Sequence, residues 1–97
     1  MSEPRFEWDR SKAFLNKRKH RILFEEAQTV FNDEHAIEYF DPDHSEREDR
    51  FVILGLSDRL RLLVVSYCVR RDQSVIRVIT ARKADRQESA DYKEANR

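Results

Sequence analysis

Three arginines, Arg61, Arg77 and Arg82, lie at the start of, within or at the end of the apolar runs in the last third of this 97-residue chain. The runs read Arg61-Leu-Leu-Val-Val-Ser-Tyr-Cys-Val-Arg70 and Ile76-Arg-Val-Ile-Thr-Ala-Arg82-Lys83. A guanidinium fixed on a rigid sheet grips phosphate well, because its planar fork of donors matches phosphate oxygens and stays charged. Strand side chains alternate, so regular pleating places Val75, Arg77 and Ile79 on one face and Ile76, Val78 and Thr80 on the other. Arg77 then sits among apolar neighbours, where a charge must reach a partner or a ligand. Arg61 likewise begins a face shared with Leu63, Val65 and Tyr67.

Little other chemical equipment is visible. The loop Asp41–Asp49 spaces Asp41, Asp43 and Ser45 like the start of a calcium loop, but Glu46 replaces the required glycine and Val52 the closing glutamate. No Cys/His spacing suits zinc, and Gly55 alone cannot form a glycine-rich phosphate loop. No metal or other cofactor is expected. Cys68, the single cysteine, lies in an apolar run and reads as a small buried hydrophobe rather than a nucleophile.

The elements that must position these groups follow from patterning. Asp9 is a candidate N-cap for a helix over Arg10–His20. The cations Lys17, Arg18, Lys19, His20 and Arg21 suit the negative end of that helix's dipole, a purely structural account of the cluster. Leu23, Ala27, Val30 and Phe31 form an apolar stripe, predicting a helix over Leu23–Asn32. Strands are expected at 6–9, 36–40, 51–56, 61–69 and 75–80, with turns at Ser57–Leu60 and Arg70–Ser74. Asp85 with Glu88 forms a capping box opening a helix to about Ala95. The order is β-α-α-β-β-β-β-α. This is one α+β domain spanning 1–97.

The net charge is zero but segmented. Residues 1–22 carry a balance of +4, residues 23–58 of −9 and residues 59–97 of +5. Such a chain can present a basic face suited to nucleic acid and an acidic face; a well-mixed solvated surface is the plain alternative. The N-terminus has no apolar core and the run Leu62–Val69 is far below the ~20 residues that span a bilayer. The expected compartment is the cytosol.

Taken together, the residues resemble the BrnT family of toxins. Phe6-Glu-Trp-Asp9, Lys12, Asn16, Lys19-His20, Phe24-Glu-Glu-Ala27, Val30-Phe31 and Asp33 match its first half. Asp43-His44-Ser45, Glu48-Asp-Arg50-Phe51, Gly55, Ser57, Arg61, Ile76-Arg-Val-Ile-Thr-Ala-Arg82-Lys-Ala84, Glu88 and Tyr92 match its second. The likeness runs in order from about 6 to 92. Two positions depart from it: Arg21 stands where glycine commonly follows the Lys-His pair, and Leu60 where glycine commonly precedes the arginine.

The resemblance implies a RelE-like α+β fold, with two N-terminal helices packed on an antiparallel sheet and a C-terminal helix. It implies a bacterial type II toxin–antitoxin system, with a toxin that cleaves RNA and blocks translation. It also implies a BrnA-like ribbon-helix-helix antitoxin, through which operator DNA is bound; the −9 segment suggests a small basic or amphipathic partner. Metal-independent cleavage needs a proton acceptor for the 2′-hydroxyl, charge stabilisation at phosphorus and a proton for the leaving oxygen. Arginine meets only the second need, so Arg61, Arg77 and Arg82 are the stabilising candidates, with ion pairs to acidic residues as the structural alternative. His20 and His44 suit proton transfer, and Lys19 is a further stabiliser. The catalytic set is therefore Arg61, Arg77, Arg82, His20 and Lys19, with Arg50, His44 and Lys83 as RNA contacts. The competing hypothesis is a non-catalytic module that binds RNA or antitoxin.

Overall fold

β-branched runs build a five-stranded sheet, and capped polar segments build the helices around it. The computed structural model describes residues 4–45, 48–70 and 74–97. The chain runs β1 (Arg5–Glu7), α1 (Arg10–His20), α2 (Phe24–Thr29) with a 3₁₀ turn at Val30–Asn32, then β2 (Ile37–Phe40), a 3₁₀ turn at Pro42–His44, β3 (Arg50–Leu56), β4 (Leu62–Arg70), β5 (Val75–Lys83) and α3 (Arg86–Ala95). Parts of the expected loop 41–49 and of the turn 70–74 lie outside the described residues.

Caps set two of the helix starts. The Asp9 carboxylate accepts from the Lys12 amide at 3.0 Å. Asp85 and Glu88 bond each other's backbone N–H reciprocally, each at 2.8 Å. Arg21 ends α1 in the left-handed region at φ 63°, its N–H donating to the Lys17 carbonyl at 2.9 Å. Leu60, in the β3–β4 turn, has φ 60°. These are the two positions that depart from glycine in the resemblance noted above, and the backbone there has a conformation that glycine adopts without strain.

The strand order is β1-β5-β4-β3-β2. β1 runs parallel to β5, pairing Phe6 with Ile76, while the other neighbours are antiparallel. The sheet is therefore mixed, not purely antiparallel as the resemblance implied: the first strand pairs with the last strand, β5, and no hairpin links them. A second departure is local. Ser66 pairs with Thr80 and Tyr67 with Val78, so Ile79 is a bulge. The extra residue turns Thr80 to the Arg77 face, away from Ile76 and Val78.

Ile22, Phe24, Ala27 and Val30 pack against Ile53, Leu63, Val65, Tyr67, Val78 and Ala81, forming the core on one sheet face. Phe31 adds edge-on contacts to Phe6 and Tyr67, with ring centroids 5.2 and 4.9 Å apart. Gly55 permits the close approach of this layer, because a Cβ there would lie 2.9 Å from Ala36 Cβ and 3.0 Å from Val30 Cγ1. α3 buries no residue completely and is tethered by polar contacts, among them Tyr92 Oη to Asp33 Oδ2 at 2.7 Å. Burial raises Asp33, but hydrogen bonds from Leu56 N–H, Tyr92 O–H and His35 N–H outweigh it and hold the carboxyl below its ordinary range. Among the described residues no helix is long and apolar enough to cross a membrane.

Candidate nucleic-acid interface

Lys12, Asn16, Lys19 and His20 recur at i, i+4, i+7 and i+8, the spacing of a single helix face. Asn16 is the one buried residue of α1, and it fixes that face against the sheet. β1 ends opposite Arg77, leaving the rest of β5 without a strand beyond it. There the Asn16 side chain acts as a substitute strand: its amide nitrogen donates to the Ala81 carbonyl at 2.8 Å and its oxygen accepts from the Ala81 N–H at 3.0 Å. A third bond, to the Ile22 carbonyl at 3.1 Å, ties the α1–α2 link to the same point.

The result is a groove of about 330 Å³ between α1 and β5, lined by Lys12, Leu15, Asn16, Lys19, His20, Ile79 and Thr80. No carboxylate is in that lining, and none of the ion pairs among the described residues involves Lys12, Lys19 or His20. Lys19 and His20 were candidates from the sequence. The catalytic and RNA-contact candidates drawn from the sequence did not include Lys12, Asn16 or Thr80. The same periodic count that found the apolar stripe from Leu23 finds the first two; the bulge that turns Thr80 has no local signal.

The three arginines do not converge on one surface, and each makes the kind of ion pair that stood as the structural alternative. Arg61 lies on the helix-covered side. Its Nε donates to Glu26 Oε2 at 2.9 Å and its Nη2 to Glu26 Oε1, while Ser57 Oγ donates to the same carboxylate at 2.6 Å. The Arg61 hydrogen bonds hold Glu26 below the ordinary glutamate range against the opposing effect of burial. Arg77 Nη1 donates to Glu7 Oε2 at 3.0 Å. Arg82 grips Glu88 with two bonds of 2.8 Å, which raise the arginine and lower the glutamate. Arg77 and Arg82 share the face opposite the core, but their partners on β4, Cys68 and Val64, are four residues apart, about 13 Å. Each guanidinium is paired with a carboxylate, from a distant segment for Arg61 and Arg77 and from the first turn of α3 for Arg82.

The proposed RNA contacts are also dispersed. His44 Nδ1 lies 2.9 Å from Asp41 Oδ2 beyond β2, so this loop pairs internally. Arg50 opens β3, and Lys83 closes β5 opposite Leu63. From β5 to β2 is three strand spacings, roughly 14 Å, so His44 is not grouped with His20. A second groove of about 420 Å³ crosses the open face along the row Thr80, Ser66, Val52 and Tyr39, with Arg82, Glu88 and Asp91 on its α3 side. Thr80 lines both grooves. Cys68 is fully buried, and burial pushes its thiol up, as suits a core residue rather than a nucleophile.

A small mixed α+β protein with a cationic groove at its sheet edge is thus defined, and its fold is similar to that of a solved ribonuclease toxin. The crystal structure of the Brucella abortus ribonuclease toxin, BrnT, matches with a TM-score of 0.62 at 19% identity, covering 86% of this chain and 99% of that chain. No curated protein matches the sequence. Residues 8–88 match the family described as ribonuclease toxin, BrnT, of type II toxin–antitoxin systems, and the chain belongs to that family. An RNA target and an antitoxin partner follow from the membership.

Proposed function

We propose that this toxin cleaves RNA without a metal at the α1–β5 groove, in a RelE-like manner, and so blocks translation in the cytosol. The observation that carries the assignment is the contrast in partners: Lys12, Lys19 and His20 line one groove free of carboxylates, whereas Arg61, Arg77 and Arg82 are each paired. His20 removes the 2′-hydroxyl proton as that oxygen attacks the adjacent phosphorus. Lys19 and Lys12 balance the charge gathering on the non-bridging oxygens. The bond to the 5′-oxygen breaks, that oxygen takes a proton from water, and a 2′,3′-cyclic phosphate remains. Arg82, two residues past Thr80, holds α3 to the end of β5 through Glu88. Arg77 and Arg61 contribute by holding the fold, and Arg50, His44 and Lys83 act outside the reacting centre.

Neutralisation falls to a BrnA-like ribbon-helix-helix antitoxin, which also carries the pair to operator DNA. Incubating purified protein with RNA in excess chelator tests the cleavage reading. Cyclic-phosphate products are expected, with His20→Ala and Lys19→Ala each slowing cleavage by about 100-fold or more. Dependence on added divalent metal, or full activity in both variants, would sink this assignment; intact RNA retained by the wild type would mean a binding module instead.

A further inference from the structure

We infer that the outward side of α1 is the docking surface for an acidic amphipathic segment of the antitoxin, which silences the toxin by lying across the cationic groove. This rests on the proposed groove and on the antitoxin partnership. The first support is charge. α1 carries Arg10, Lys12, Lys17, Arg18 and Lys19 with no acidic residue, and Arg21 follows as its cap. The same helix leaves two large apolar side chains in solvent, Phe14 at 60% and Leu15 at 61% exposure. Cations alone would suit any polyanion. Cations around an apolar pair call for a partner that brings both carboxylates and hydrocarbon.

Geometry links the patch to the site. Leu15 lies three residues after Lys12 and four before Lys19, and it lines the groove with them. Phe14 is one position round the helix, outside that lining. A segment that covers both side chains must therefore cross the groove's rim, where its carboxylates meet the lysines that RNA phosphate needs. RNA itself fits this outer surface poorly. Leu15 has no π-face for a base, and the Arg18 guanidinium already lies 5.9 Å from the Phe14 ring centroid.

The test uses the full chain and, as probe, the purified product of the reading frame adjoining its own, titrated by calorimetry. Wild type is expected to bind, with affinity falling as salt rises. Phe14→Ser should weaken binding about tenfold or more, and Arg18→Glu should weaken it further. Phe14→Leu should bind like wild type, and Phe14→Ser should still cleave RNA at the normal rate while escaping inhibition. Unchanged affinity in Phe14→Ser overturns the surface. Parallel loss of RNA cleavage in Phe14→Ser also overturns it, because the patch would then belong to the substrate. If the wild type fails to bind the probe, the antitoxin partnership fails first; cleavage by unpartnered protein, scored separately, leaves the ribonuclease reading standing.

Discussion

Arg61, a candidate for phosphate binding, makes an ion pair within the fold. Its partner Glu26 is only 6% exposed, and Arg61 itself 29%. A carboxylate that far from water keeps its charge only because the guanidinium and the Ser57 hydroxyl supply hydrogen bonds. Arg61→Ala should therefore destabilise the fold by about 3 kcal/mol, the low end for breaking a buried pair since Arg61 retains some solvent. The loss has a pH signature. Glu26 is held below its ordinary value in the folded protein, so its stabilisation is complete above the unfolded glutamate range of about 4.3 and disappears as pH falls through the depressed folded value. Denaturant melts of wild type and Arg61→Ala should accordingly differ most near neutrality and converge in acid. A difference constant across that range would mean that packing, not the ion pair, makes the contribution. RNA cleavage per folded molecule should be retained in this variant, in contrast with His20→Ala.

The helix α1 and the turns around it show what elements add beyond single residues. α1 has almost no apolar face, so the side-chain amide of Asn16 has an anchoring role usually filled by packing. Asn16→Ala removes three hydrogen bonds and leaves the buried N–H and C=O of Ala81 unpaired at the free stretch of β5. A loss of about 3 kcal/mol is expected, with cleavage falling as the groove loses its wall; thermal melts and hydrogen exchange at Ala81 would check it. The left-handed residues Leu60 and Arg21 predict the opposite sign. Leu60 is 80% exposed, so Leu60→Gly sacrifices little contact and relieves an L-residue strain of about 1–2 kcal/mol, offset in part by glycine's entropy. A net gain near 0.5–1 kcal/mol, seen as a Tm rise of roughly 2–8 °C, is expected; no rise would show that the turn is unstrained. Much at this scale was legible: the Asp9 cap, the Asp85–Glu88 box and the β-branched strands are signals within a few residues. The parallel β1–β5 pairing and the Ile79 bulge were not, because both are fixed by partners far along the chain.

At the scale of the whole molecule, the segmental charge of the sequence becomes a spatial one through strand order. The basic segments supply β1, α1, β4 and β5, while the acidic middle supplies α2, β2 and β3, so the order β1-β5-β4-β3-β2 sets a cationic side against an anionic one. The sequence could show that charges were unevenly spread, but not that its arginines would spend theirs on Glu7, Glu26 and Glu88, contacts made across 70, 35 and 6 residues. What remains for a polyanion is the edge where α1 lies on β5. An RNA strand held there should show steep salt dependence, since each phosphate contact releases counterions and contributes about 0.7 to the slope of log affinity against log salt for single strands. Binding of a 2′-O-methyl RNA, which cannot be cleaved, would isolate this effect from turnover. Lys12→Ala should lower the slope by about 0.7 and weaken binding at every sequence alike, while His44→Ala, in the turn beyond β2 and so past three strand spacings from β5, should leave it unchanged. A slope that responds to His44→Ala and ignores Lys12→Ala would move the RNA path to the opposite side of the sheet, and with it the proposed site of cleavage.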